Sequence, residues 1–187
     1  MASKRVLAFD FGASSGRAIL ATYADGKIAM QEIHRFSNDP VNLCGTLYWD
    51  VQRLFFEIKQ GITKAVHQGG FDAIGIDTWG VDFGLLDAHG QLVANPVHYR
   101  DERTVGMMEK AYEKVPQQEL YDRTGIQLMR LNTVFQLVSL AENRPDLLER
   151  AETMLLMPDL LAYFLTGAKY AEYSEVSTTQ MLDPKTG

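Results

Sequence analysis

The chain has 187 residues, the length of one domain of ordinary size or a little more, and a fold of that size buries roughly 70% of its unfolded surface. With 46% hydrophobic and 22% charged residues it sits near the globular average, which excludes disordered and collagen-like classes. A net charge of −6 argues against nucleic acid or an anionic membrane as main partner, and no apolar run reaches the roughly 18 residues of a transmembrane helix.

The opening, MASKRVLAFDFG, has the basic residues and short apolar stretch of a signal peptide. Asp10 interrupts it, however, and no small-residue cleavage site closes it. The single cysteine, Cys44, cannot form an internal disulfide or a cysteine-based zinc site, which fits a reducing, cytoplasmic setting; it reads as an inert thiol near a loop.

Val6 to Phe9 reads as a strand ending at Asp10-Phe11-Gly12, followed by strands over Arg17 to Tyr23 and Lys27 to Phe36. Ala13-Ser14-Ser15-Gly16 and Asp25-Gly26 supply the turns of this antiparallel meander. Ser37 to Leu47 reads as a loop. Between Asp50 and His67, Val51, Leu54, Phe55, Ile58, Ile62 and Val66 recur at spacings of three and four, the stripe of a helix with one buried face, stopped by Gln68-Gly69-Gly70. Ala73 to Asp77 is an apolar strand of the kind found in a sheet covered on both faces. Val81 to Asp87 and Gln91 to Tyr99 flank Ala88-His89-Gly90 as a predicted hairpin. The remainder is largely helical: Glu102–Val115, Gln117–Thr124, Thr133–Asn143 and Pro145–Ala151, then a strand or buried turn over Thr153 to Met157. A helix from Pro158-Asp159 through Thr166 ends at Gly167, and the tail from Glu172 to Gly187 alternates polar and apolar residues. Three antiparallel strands, a helix, a strand and then helices make an α/β plan with a mixed sheet flanked by helices, unlike the alternating opening of a dinucleotide-binding fold.

Three segments carry chemistry. In Asp10-Phe11-Gly12-Ala13-Ser14-Ser15-Gly16-Arg17, a strand ends in a carboxylate able to hold Mg²⁺ directly or through its waters. The small residues after it can turn backbone N–H groups and hydroxyls toward a phosphate, within reach of the Arg17 fork. The competing reading is an ordinary hairpin with a solvated Asp. In Gly75-Ile76-Asp77-Thr78-Trp79-Gly80-Val81-Asp82-Phe83, a strand end presents Thr78, Trp79, Gly80 and Asp82 where open α/β sheets place ligands. There Asp82 can accept sugar hydroxyls and Trp79 offers a flat face; a core plug and a turn residue are the alternatives. In His98-Tyr99-Arg100-Asp101-Glu102-Arg103-Thr104, Asp101 can cap a helix, while Arg100 and Arg103 hold either a polar ligand or neighbouring carboxylates. The four histidines show no metal spacing, and G-x-S-x-G and H-E-x-x-H are absent, which disfavours serine hydrolases and zincins.

Taken together, A-F-D-F-G-A-S-S-G-R, E-I-H-R-F, I-G-I-D-T-W-G-V-D-F, Y-R-D-E-R-T, L-M-P-D-L and E-Y-S-E-V-S-T-T-Q-M-L-D resemble the amino-terminal half of the FGGY carbohydrate kinases, which have the ribonuclease H-like/actin-like ATPase fold. The resemblance runs the length of the chain; D-T-W-G-V-D-F is its most specific part. It implies ATP- and Mg²⁺-dependent phosphorylation of L-rhamnulose at its 1-hydroxyl, in rhamnose catabolism. By it, Asp10 lies near the metal and Gly12, Ala13, Ser14, Ser15, Gly16 and Arg17 form the ATP phosphate loop. Gly80 contacts substrate, with Thr78, Asp82, Arg100 and Asp101 as further substrate-side residues. Residues 1–187 would then be the sugar-binding N-terminal domain. The ATP-binding second domain and the catalytic aspartate base would lie beyond Gly187, leaving no catalytic residue in this chain and the fragment inactive alone. The rival expectations are a kinase for another ketose, such as fuculose or xylulose, and a non-catalytic ATP- or sugar-binding module of the actin-like superfamily.

Overall fold

The computed structural model describes residues 3–187. In chain order, strands β1 (Lys4–Phe11), β2 (Ser15–Ala24), β3 (Lys27–Ser37), β4 (Val41–Leu43) and β5 (Thr46–Tyr48) precede helix α1 (Val51–His67). Strands β6 (Ala73–Asp77) and β7 (Phe83–Leu86) lead to helices α2 (Met107–Tyr112), α3 (Gln117–Thr124), α4 (Thr133–Asn143) and α5 (Pro145–Arg150). Strand β8 (Thr153–Leu156), α6 (Met157–Thr166) and α7 (Tyr173–Ser177) follow. The chain forms two compact units, one from the residues up to Asp39 with Asp50–Trp79, the other from Pro40–Trp49 with Gly80–Gly187.

The first unit is a four-stranded sheet in the order β3-β2-β1-β6. The meander predicted from the sequence is present: β1 and β2 pair antiparallel, as do β2 and β3, whose turn at Asp25-Gly26 has both residues at positive φ, as a two-residue hairpin of type I′ requires. Helix α1 is N-capped by the Asp50 carboxylate, which accepts from the Arg53 N–H. It covers one sheet face, packing Val51, Leu54, Ile58 and Ala65 on the side of Leu7, Phe9, Phe11, Ala18, Leu20 and Phe36. Burying Leu54 and Ile58 stabilises by roughly 1.5–3 kcal/mol each. The buried stripe is rotated from the expected one, since it takes in Glu57 and Gly61 and leaves Val66 exposed. At Gly61 a Cβ would lie 2.6 Å from the Phe9 ring, so the helix approaches the sheet only because that side chain is missing.

Strand β6 departs from expectation. It pairs parallel with β1 but lies at the sheet edge, with four of its five residues exposed. A continuous apolar run indicates cover on both faces only where helices lie on both, and α1 covers one. The opposite face carries exposed Val6, Tyr23, Ile28 and Met30.

In the second unit, the predicted loop before Trp49 contains the β4–β5 hairpin, turned by Cys44 and Gly45 at positive φ; the Cys44 thiol is free and exposed. The predicted hairpin over residues 81–99 forms only as a short pairing around its turn, where the Asp87 N–H donates to the Gln91 carbonyl (2.9 Å) and the Val93 N–H to the Leu85 carbonyl (2.9 Å). The full length of strand β7 pairs antiparallel with β8, while residues 91–99 add the isolated bridges Leu86↔Leu92 and Tyr48↔Val97. Phe83, Leu85, Val93, Leu140, Leu147 and Leu156 form the core. The helix expected over Glu102–Val115 is broken into a 3-10 turn and α2, because Gly106 takes a left-handed φ of 76°. Gly167 in the same conformation ends α6 where the sequence predicts. Among the described residues no helix is long and apolar enough to cross a membrane.

Candidate functional site

In the first unit, β1 and β6 run parallel, so their carboxyl ends lie side by side and Asp10 is the Cα partner of Asp77. The same rung continues through Arg17 of β2 and Arg35 of β3. Partners in a ladder share a face, so this rung presents two carboxylates followed by two guanidinium groups across four strands about 4.8 Å apart. Arg17 donates from Nε (2.8 Å) and Nη2 (2.6 Å) to Asp10 Oδ2, and Arg35 is bidentate on Glu32. The Asp10 and Arg17 side chains are 42% and 44% exposed, which makes their pair worth only about 0–1 kcal/mol and easily exchanged for a ligand.

The turn joining β1 to β2 adjoins this rung. The Gly12 N–H donates to the Ser15 carbonyl (2.8 Å), whereas no partner among the described residues takes the N–H of Ala13 or Ser14. Two N–H groups in succession, beside a guanidinium, suit an anion. The turn is pinned from β3's end by buried Asn38, whose N–H donates to the Ser14 carbonyl (3.0 Å) and whose Nδ2 donates to the Gly12 carbonyl (2.9 Å). Gly16, expected in the phosphate loop, is buried in β2, where a Cβ would lie 2.2 Å from the Phe36 ring; its smallness serves packing. Sequence reasoning passed over Asn38 and Arg35. Asn38 stood in a polar Asn-Asp-Pro cluster read only as loop, and Arg35 acquires its place through cross-strand register.

No group of three or more His, Cys, Asp or Glu side chains able to hold a metal occurs among the described residues. Asp10 and Asp77 do supply hard oxygen donors on one rim. That set fits Mg²⁺, which takes one or two carboxylates and completes its octahedron with water and phosphate oxygens. Thr78, at the tip of β6, donates its hydroxyl to the Trp79 carbonyl (3.0 Å).

The second unit contains the other predicted residues. Asp82 is fully buried. Its Oδ2 accepts from Trp49 Nε1 (2.6 Å) and the Tyr99 N–H (3.0 Å), and its Oδ1 accepts from Gln136 Nε2 (2.8 Å). This carboxylate holds three segments together. Gln136 in turn accepts from Arg103 Nη2 (2.6 Å). Asp101 is also buried and engaged, accepting from the Leu47 and Arg103 N–H groups, while Arg100 is exposed with its guanidinium over the Tyr99 ring. Beside this hub His98 stacks on Trp49 at 3.9 Å and accepts the Arg100 N–H at Nδ1. Burial, reinforced by the Arg100 cation, pushes its pKa down from 6.5 to about 4.

Val81 is the strained point of this unit. A β-branched residue at φ 70° is a genuine outlier, costing on the order of 1–3 kcal/mol and persisting only where its surroundings over-determine it. They do so here. Val81 N–H donates to Thr178 Oγ1 (3.2 Å), and its carbonyl accepts from Thr133 Oγ1 (2.7 Å). A Cβ at Gly80 would lie 3.1 Å from Thr178 Oγ1, so glycine lets the segment after α7 close on Gly80-Val81. A separate cavity of about 370 Å³ is lined by Tyr48, Asp101, Arg103 and Arg144 over apolar residues; it includes Asp101 but none of the other residues predicted for the substrate.

The fold is mixed α/β, and the chain belongs to the FGGY family of carbohydrate kinases, whose N-terminal domain it matches over residues 5–187. Among solved structures it is similar to a ligand-bound xylulose kinase from Lactobacillus acidophilus (TM-score 0.84, 18% identity, 98% of this chain and 37% of that one). A gluconate kinase from the same organism has a TM-score of 0.86 at 17% identity and is covered over 38% of its chain; both likenesses concern the fold alone. Much nearer in sequence are proteins named rhamnulokinase. That of Oceanobacillus iheyensis is 44% identical over 178 residues, 95% of this chain, and that of Bacteroides thetaiotaomicron is 43% identical over 180 residues, 96% of this chain. The chain spans 38% and 37% of the length of these two relatives.

Proposed function

We propose that residues 1–187 are the sugar-side N-terminal domain of a cytoplasmic kinase that transfers phosphate from ATP to the 1-hydroxyl of L-rhamnulose, with an ATP-binding domain and the catalytic aspartate encoded beyond residue 187. The observation that carries this reading is the rung Asp77-Asp10-Arg17-Arg35 beside the open N–H groups of Ala13 and Ser14. Similarity to the rhamnulokinases supports the choice of ketose over fuculose or xylulose. The exposed apolar sheet face and the edge position of β6 support further chain packing on the first unit.

In this proposal Ala13 and Ser14 orient the terminal phosphates through their N–H groups, and Arg17 leaves Asp10 to hold a phosphoryl oxygen. Asp10 and Asp77 would hold Mg²⁺, which when bound neutralises charge on the transferring phosphates. On the sugar side, the family resemblance supports Thr78 in the first unit, and Gly80 and Arg100 in the second, as substrate-side residues. Asp82 and Asp101 act indirectly, by fixing the backbone of Tyr99 and of Leu47 and Arg103.

The test is ADP release by the protein of the whole reading frame, with Mg·ATP and a panel of L-rhamnulose, L-fuculose and D-xylulose. The expected kcat/KM is highest for L-rhamnulose, with kcat falling about 10²-fold or more in Asp10→Asn and no turnover by residues 1–187 alone. A preference for another ketose, or an undiminished Asp10→Asn variant, overturns the reading.

A further inference from the structure

Outside the rung and the Asp82 hub, the first unit holds a buried chain of titratable groups with no role in the reading above. Glu57, on the sheet-facing side of α1, is 3% exposed. Its Oε2 accepts from His34 Nε2 of β3 at 2.6 Å, and its Oε1 accepts from Arg53 Nε at 2.5 Å. His34, 11% exposed and 5.5 Å from the Phe36 ring, has its other nitrogen, Nδ1, 2.8 Å from Lys64 Nζ. An ammonium has only protons to offer, so Nδ1 is the acceptor and the ring proton sits on Nε2, facing the carboxylate. Lys64 lies seven residues after Glu57 on α1, two turns along the same helix face, with its side chain open to solvent. Burial pushes the Glu57 carboxyl up, but the hydrogen bonds from His34 and Arg53 outweigh it and hold the group below its ordinary value, so it stays charged beside the ring.

Carboxylate, imidazole and nucleophile in that order is the arrangement by which a base removes a proton from an attacking group, with the carboxylate fixing the tautomer and stabilising the imidazolium. We propose that Lys64 is a privileged acylation site, its amine activated by the His34–Glu57 pair toward activated acyl donors, acyl phosphates or acyl thioesters. The Lys64 ammonium passes a proton to His34 Nδ1, and the imidazolium so formed is held by Glu57. The neutral amine attacks the acyl carbon, forming the C–N bond and breaking the bond to the phosphate oxygen or thiolate sulfur. The second amine proton leaves with the departing group, and His34 returns its proton to solvent. Arg53 shares Glu57 with His34, donating to its other carboxylate oxygen.

The chain carries eight lysines, which act as internal standards. The chain is incubated with acetyl phosphate in one arm and acetyl-coenzyme A in the other, and acetylation at each lysine is followed by peptide mass spectrometry. Lys64 is expected to react about 10²-fold faster than exposed Lys27, the lower end of the range a positioned base supplies. His34→Gln and Glu57→Gln each bring the Lys64:Lys27 ratio to about one. The ratio is taken within one molecule, so a loss of overall stability does not mimic this result, and far-UV circular dichroism checks the fold of each variant. Because His34→Gln removes the base while leaving Glu57 paired to Arg53, it serves if Glu57→Gln fails to fold. Lys64 reacting no faster than Lys27 in both arms, or an unchanged ratio in folded His34→Gln, overturns the proposal; a response in one arm alone identifies the donor class.

Discussion

Replacing Asp82 by alanine separates a structural hub from a substrate ligand. The change removes the acceptor for three donors: the indole N–H of Trp49, the Tyr99 N–H and one amide hydrogen of Gln136. They are not equally exposed to the loss. Gln136 Nε2 keeps the Leu131 carbonyl at 2.9 Å, and half-buried Tyr99 can recruit water. Trp49 is fully buried and loses the acceptor for its indole N–H. An orphaned buried donor costs about 1–3 kcal/mol, so with a partial contribution from the other two the expected loss is about 2–4 kcal/mol, or roughly 5–15 °C in Tm. Asp82→Asn is milder, because its carbonyl can still serve Trp49 and Tyr99 while its NH₂ faces that of Gln136. Urea unfolding followed by far-UV circular dichroism measures each variant, and a cycle with Trp49→Phe isolates the buried bond. The coupling energy is expected at about 1.5–3 kcal/mol, the range for hydrogen bonds to charged groups. An Asp82→Ala protein within 1 kcal/mol of the parent, or a cycle additive to within about 0.5 kcal/mol, would refute the hub and return Asp82 to solvent and substrate.

Two further outcomes follow from the same packing. Gly16→Ala forces a Cβ into the Phe36 ring and is expected to destabilise by about 1–3 kcal/mol, whereas Gly26→Ala, with open space around its Cβ, meets only the strain of its positive φ; equal losses from a purely steric readout, the Phe36 ring shifts in NMR spectra, would contradict this. For His98, the native pKa of about 4 lies below the 6.5 of the unfolded chain, so between these values the unfolded state binds a proton that the native state refuses. Stability therefore falls as pH drops through that window, by about 2 kcal/mol between pH 7.5 and pH 5 and about 3 kcal/mol in full. Comparing urea midpoints at the two pH values checks this, and an equal drop in His98→Gln would assign the pH dependence to other groups.

The local features of the molecule were legible in the residues themselves. Alternation and Asp25-Gly26 define the β1–β3 meander, spacing of three and four defines α1, and Gly167 ends α6, because each depends on neighbours within a few positions. The tip of β1 with its small-residue turn was legible for the same reason, as were the strings that mark the family. What only the tertiary structure decided rests on residues brought together from far along the chain. Asp77 joins Asp10 through a parallel pairing across 67 residues, the Asp82 hub draws on Trp49 and Gln136 from 33 and 54 residues away, and β7 pairs along its length with β8 from far down the chain. A sequence pattern shows that a carboxylate ends a strand; whether it meets water or a buried indole depends on which distant surface folds over it, and no local periodicity encodes that.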